Sequence, residues 1–164
     1  MTGVQAQFPE HWKGKGEMKS GQPHGEWKFY EDSSLVAEGR FKQGLKEGEW
    51  LFYYPSGERQ IAAQYRNGQP HGEWKEYFED GTLSLSMSHI EGIKHGELTL
   101  YHPSGKVASE GYYLMGLLEG NYRKYNEEGI LASEAQYADD TLHGHWKLYE
   151  GGKLIEAGHY KKGK

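Results

Sequence analysis

A sixfold internal repeat constrains this chain more than any other feature. His24-Gly25-Glu26-Trp27, Glu47-Gly48-Glu49-Trp50, His71-Gly72-Glu73-Trp74, His95-Gly96-Glu97-Leu98, Glu119-Gly120-Asn121-Tyr122 and His143-Gly144-His145-Trp146 are one motif, with glycines 23 and then 24 residues apart. Five positions after each glycine comes a tyrosine: Tyr30, Tyr53, Tyr77, Tyr101, Tyr125 and Tyr149. Seven positions before each stands Met18, Phe41, Tyr65, His89, Tyr113 or Tyr137, and Tyr160 holds the same place after the last copy. A fixed period of this size marks an array in which each copy is one supersecondary unit, unable to bury its apolar face alone and stabilised by its neighbours.

Each copy reads as two strands. The first runs from the motif glycine through the tyrosine, as in Gly72 to Phe78. A reversal follows at Pro55-Ser56-Gly57, Glu79-Asp80-Gly81, Pro103-Ser104-Gly105 or Glu127-Glu128-Gly129, residues suited to tight turns. The second strand covers stretches such as Leu35 to Phe41, where Leu35, Ala37, Gly39 and Phe41 alternate with Val36, Glu38 and Arg40, or Leu131 to Tyr137. A glycine-containing link such as Arg66-Asn67-Gly68-Gln69-Pro70 leads into the next copy, and no stretch supports a long helix. The expected fold is all-β: an elongated repeat array of about six antiparallel β-hairpins with a period of about 24 residues. Twelve strands and a leading one over Trp12 to Met18, spaced by about 4.8 Å, give a body roughly 60 Å long. The array is expected to form a single domain over 1–164, with an N-terminal tail at 1–11 and repeats over about 12–163.

Composition agrees with a thin, ordered fold. Hydrophobic residues make up 35%, diluted by 24 glycines, while 13 Tyr, 5 Trp and 5 Phe exceed what a disordered chain carries. The net charge of −5 is evenly spread, with ten basic and thirteen acidic groups in residues 1–82, so nothing attracts nucleic acid or anionic lipid electrostatically. Cysteine is absent, which removes disulfides, thiolate metal sites and thiol nucleophiles. No apolar run approaches the ~18 residues of a membrane span. Met1 to Pro9 lacks the charged and apolar regions of a signal peptide, which suggests the cytoplasm. Val4-Gln5-Ala6 resembles the end of a cleaved signal, so export with the signal already removed is the alternative.

The motif Gly-x-x-His-Gly-x-Trp, with tyrosine and glycine recurring at this period, resembles the MORN repeat over residues 12–163. It is most similar to the bacterial variant known as the YwqK-type antitoxin family, because Trp, Leu or Tyr stands where the MORN pattern has glycine after its first acidic position. The resemblance implies a non-enzymatic protein-binding module, in the antitoxin version one that masks a partner such as a toxin. A structural scaffold or self-assembling module, and a peripheral lipid or carbohydrate binder, are the rival readings.

The repeat also argues against the obvious chemical sites. His24, His71, His95 and His143 are equivalent in four copies, but equivalent positions in adjacent hairpins lie about 10 Å apart, too far for ligands at about 2.0–2.1 Å from one zinc ion. Glu47 and Glu119 at the same place point instead to a polar turn contact. His89, His102, His145 and His159 are scattered, and no metal or cofactor is expected. Glu38, Glu110 and Glu134 form one periodic set of carboxylates, and Glu26, Glu49, Glu73 and Glu97 another. Acid–base catalysis needs one distinctive pair, so these read as a solvated sheet face. No nucleophile elbow, phosphate loop or dinucleotide fingerprint is present. The tryptophan and tyrosine ladders read as packing within the fold.

Departures from the repeat carry more information. The links are polar at Lys42-Gln43-Gly44-Leu45-Lys46 and Arg66-Asn67-Gly68-Gln69-Pro70, yet the fifth is Leu114-Met115-Gly116-Leu117-Leu118. The fourth contains Ile90 and Ile93, and the sixth Ala138 and Leu142. Links are expected along one edge, so Ile90, Ile93, Leu114, Met115, Leu117, Leu118 and Leu142 form the candidate partner-binding strip. Lysines on the terminal strands (Lys13, Lys15, Lys19, Lys161, Lys162 and Lys164) discourage edge pairing and suggest a monomer.

Overall fold

The computed structural model describes residues 8–161, so Val4 to Ala6, Lys162 and Lys164 lie outside the described residues. Every regular element among those described is a β-strand, and none is a helix that is long and apolar enough to cross a membrane. The chain divides into two compact units, residues 1–81 and 82–164. In the first, β1 (Lys13–Lys19), β2 (Gln22–Glu31), β3 (Ser34–Lys42), β4 (Leu45–Tyr53), β5 (Arg59–Arg66) and β6 (Gln69–Tyr77) each pair antiparallel with the next. The second contains β7 (Leu83–Ile90), β8 (Ile93–Tyr101), β9 (Val107–Leu114), β10 (Leu117–Leu118), β11 (Gly120–Tyr125), β12 (Leu131–Ala138), β13 (Thr141–Glu150) and β14 (Lys153–Tyr160). Its strand order is β7-β8-β9-β11-β12-β13-β14, and short β10 pairs with the end of β9. Among the described residues there are 14 strands rather than the expected thirteen, because the first strand of the fifth copy breaks at Glu119.

The links prove to be hairpin turns in their own right. Ser20-Gly21, Gln43-Gly44, Asn67-Gly68, Glu91-Gly92, Met115-Gly116 and Asp139-Asp140 all have both φ values between 50° and 91°. Two successive positive φ values define the tight turn whose twist suits paired strands. The reversals within the first and sixth copies, Asp32-Ser33 and Gly151-Gly152, are tight turns of the same kind. Those of the second, fourth and fifth copies are wider and close on the amides of Gly57, Gly105 and Gly129, which donate to the carbonyls of Tyr54, His102 and Asn126 at 2.8–2.9 Å.

The strict alternation read over residues 35–41 requires a correction. Phe29 faces Ala37 while Tyr30 faces Leu35, so Val36 is the extra residue of a bulge and is buried beside Ala37. Gln60, Ala108, Ala132 and Ile155 are passed over in the same way in their hairpins. A bulge places two consecutive side chains out of the ordinary pleat, which a period-two pattern does not register.

A second bulge explains the motif glycine. Gly39 faces Trp50 but Arg40 faces Glu47, leaving Gly48 and Glu49 in the irregularity. The six motif glycines have φ between 71° and 101°, a region that L side chains enter only with strain. At Gly48 an added Cβ meets nothing within 4 Å. Gly48→Ala therefore isolates backbone strain and should cost about 1–2 kcal/mol. Urea unfolding measures it, and an unchanged midpoint would mean that the backbone relaxes freely.

The core lies on one face of the first unit. Trp27, Phe29, Val36, Ala37, Phe41 and Trp50 are buried, with Phe8, Trp12, Phe52 and Tyr65 packed against them. Phe8, ahead of the first strand, stacks on Phe29 at 4.0 Å. Trp50 lies over Gly39, and Trp27 over Gly16, so closely that a Cβ at either glycine would overlap the ring. The indole nitrogens of Trp27 and Trp50 donate to the carbonyls of Glu17 and Arg40, both at 3.1 Å, so burying them leaves no polar atom unpaired. Among the described residues of the second unit the buried apolar side chains are Met87 and Leu98, and ring contacts include Tyr122 with Tyr137 and Trp146 with Tyr160 at 6.0 Å each.

Candidate functional site

The carboxylate ladder is part of the fold. Glu38 accepts the Tyr53 hydroxyl at 2.6 Å and pairs with Lys28 at 3.0 Å. Glu110 accepts Tyr125 at 2.7 Å and Arg123 at 3.2 Å. Glu134 accepts Tyr149 at 3.0 Å and Lys147 at 2.7 Å. The recurring tyrosine of one strand thus anchors on the recurring glutamate of its neighbour. Its hydrogen bond from Tyr53 holds the Glu38 carboxyl below its ordinary 4.5, and burial together with Glu38 pushes the Tyr53 phenol up to about 12. The Lys147 hydrogen bond holds the Glu134 carboxyl down as well.

A depressed carboxyl contributes stability that is fully present above pH 4.5 and is lost as the pH falls through its folded value. Glu38→Gln and Glu134→Gln should each lower stability at pH 7 by about 1 kcal/mol and flatten the acid limb below pH 4.5. Unfolding followed from pH 7 to pH 3 would reveal this, and an acid limb identical to the parent's would contradict it.

The polar position that opens the motif is a clip between links. Glu47 accepts the Asn67 amide at 3.0 Å, Glu119 the Asp139 amide at 3.1 Å, and His95 Nδ1 the Met115 amide at 3.4 Å. Backbone contacts stack the same links. Gly68 donates to the Lys46 carbonyl at 2.9 Å, Gly116 to Lys94 at 2.8 Å, and Asp140 to Leu118 at 3.1 Å. The links of each unit therefore run along one edge, held from below by the previous copy. Among the described residues no three His, Asp or Glu side chains come together in a way that could hold a metal ion.

In the second unit the link edge is apolar. Ile90 and Ile93 are 42% exposed, Leu114 47%, Met115 60% and Leu117 40%. Leu118 and Leu142 are half-buried, so the strip narrows to the first five of its seven residues. Leu114 and Leu117 face each other across the β9–β10 turn, and Ile93 lies against Gly116, so the fourth and fifth links present one continuous apolar surface. Met115 stands at φ 50°, a position that suits Asn or Gly far better than an unbranched apolar residue.

One further feature escaped the sequence reading. The Lys46 ammonium lies over four rings, at 4.4 Å from Phe8, 4.9 Å from Tyr65, 5.1 Å from Trp50 and 5.5 Å from Phe52. Burial lowers its pKa to about 8, while the rings favour the charged form and work against that shift. Lys94, at the equivalent place, sits 5.0 Å over Tyr113. The lysine that follows each of these turns, read together with the aromatic nineteen residues later, was the available signal.

Tight link turns and a left-handed motif glycine, repeated copy after copy, with a tyrosine–glutamate anchor in three of the copies, define a β-hairpin repeat protein. The MORN repeat variant family matches residues 46–67, 70–89, 94–114 and 118–139, just over half of the sequence, and the chain belongs to that family. The hairpins β2–β3 and β13–β14 carry the same bulges and motif glycines beyond the matched windows. Comparison with curated proteins finds no match. MORN repeats generally serve as binding modules.

Proposed function

We propose that this chain is a non-enzymatic module that binds a protein through the edge formed by Ile90, Ile93, Leu114, Met115 and Leu117. The observation that carries this reading is the exposure of five large apolar side chains on consecutive links, where the third link has Arg66, Asn67 and Gln69. Exposed apolar surface of this kind, rimmed by polar residues, is a feature of protein contacts. The edge is held by backbone and clip hydrogen bonds, so little ordering accompanies association. The likeness to the YwqK-type antitoxin family supports a masking role, in which the edge covers the working surface of the partner.

Affinity capture from the native host, run in parallel with wild type and with a variant whose edge is polar, tests the module. A partner retained by wild type and lost by the variant supports it, and equal capture by both overturns it. The masking role has its own test. The captured protein should arrest growth when expressed alone and cease to do so on co-expression with wild type. A partner that is harmless alone would remove the antitoxin reading.

A further inference from the structure

Two histidines that the sequence leaves fourteen residues apart meet on the last hairpin. His145 on β13 and His159 on β14 are direct cross-strand partners. Both are exposed, with ring centres 5.0 Å apart and planes at 80°. Two imidazoles that share one ion, each bound at about 2.0–2.1 Å and opened to about the tetrahedral angle, have ring centres about 5 Å apart. The observed separation thus matches that of a chelating pair.

The surroundings hold the pair in place. The His145 amide donates to the Gln136 side chain at 2.9 Å, which fixes the backbone beneath that ring. On the adjacent pair of positions Trp146 faces Gly158 so closely that a Cβ there would overlap the indole, which fixes the register of the two strands. The nearest cation on the same strand, Lys147, is held by Glu134 at 2.7 Å, so its charge is offset where it lines the cleft beside His145. The geometry points to a two-histidine site on the β13–β14 hairpin for a divalent transition metal of the Ni²⁺, Cu²⁺ or Zn²⁺ class. Imidazole is a good ligand for all three. Because the pair supplies only two protein donors, the remaining coordination positions of a bound ion are open to water or to a donor on a bound molecule. The ion ties β14 to β13, and the site is independent of the apolar link edge.

Calorimetric titration of the untagged full chain with NiCl₂ tests the assignment, alongside spin-resonance spectra of the Cu²⁺-loaded protein. Expected are one equivalent of Ni²⁺, nitrogen splitting from two imidazoles, and affinity at least tenfold weaker in His145→Gln and in His159→Gln alike. The three metal-free proteins should melt together, and Ni²⁺ should raise the melting temperature of the parent alone, since binding only to the folded state stabilises it. No binding up to millimolar Ni²⁺ would overturn the site. So would full affinity in either variant, because the ion would then be held by other histidines such as the clip residues.

Discussion

Replacing Trp50 by alanine should destabilise the protein by about 3–5 kcal/mol, the largest effect expected of any single truncation in the chain. Trp50 is fully buried, and its ring sits among Phe8 at 5.4 Å, Phe41 at 4.9 Å, Phe29 at 6.1 Å and Phe52 at 6.3 Å. Truncation opens a cavity that the flat neighbouring strands cannot close, because Gly39 beneath the ring has no side chain to move into it. It also removes the donor to the Arg40 carbonyl. The converse change, Gly39→Val, should cost about 1–3 kcal/mol by overpacking, since a side chain at position 39 must displace the indole. The pair separates a void from a clash at one contact. Trp74→Ala is the internal comparison. Trp74 is only half-buried, and its indole nitrogen bonds the Glu76 carboxylate at 2.9 Å, so truncation there should cost less than at Trp50. Denaturant melts would settle the ranking, and equal costs at 50 and 74 would show that the core is not concentrated around Trp50.

Much of this arrangement was legible because the chain supplies its own alignment. Six glycines in register marked one recurring position per copy at the start of a strand, and the structure gives each a left-handed φ. Six tyrosines in register read as packing within the fold, and the structure adds what the period did not show, that Tyr53, Tyr125 and Tyr149 donate to Glu38, Glu110 and Glu134. Glu47 and Glu119 standing in for histidine pointed to a polar turn contact, and in the structure they accept the amides of Asn67 and Asp139. What stayed hidden depended on facts that a period does not carry. Bulges at Val36 and its equivalents leave the repeat length intact while breaking the period of two, and Val36 itself turns inward. His145 and His159 occupy different positions of the repeat, so no column of equivalent residues unites them, and only strand register brings them together. Lys46 looked like an ordinary polar link residue until the rings around it were placed.

The apolar edge yields the second large effect. Leu114→Arg, Met115→Asn and Leu117→Gln, made together, import the third link's Arg66, Asn67 and Gln69 at equivalent positions. Folding should barely notice. The three side chains are 47%, 60% and 40% exposed, and asparagine at the left-handed position 115 relieves strain that methionine bears. A melting temperature equal to the parent's or slightly higher is expected. Leu118 is left in place because it is half-buried and its amide donates to the Asp140 side chain at 2.6 Å. Binding should respond very differently. Fully burying a leucine or methionine contributes about 1.5–3 kcal/mol. Each of these side chains is already about half covered, so a partner gains about 1 kcal/mol apiece. Losing all three then weakens the complex by about 3 kcal/mol, or roughly a hundredfold. Leu45→Gln is the control, because Leu45 occupies the position equivalent to Leu117 on the polar second link and is itself 45% exposed. It should leave the affinity for the captured partner unchanged. If the triple variant melts many degrees early, these residues belong to the packing of the second unit. If it melts normally and still binds as tightly as the parent, the partner uses another surface, and the edge is not the site.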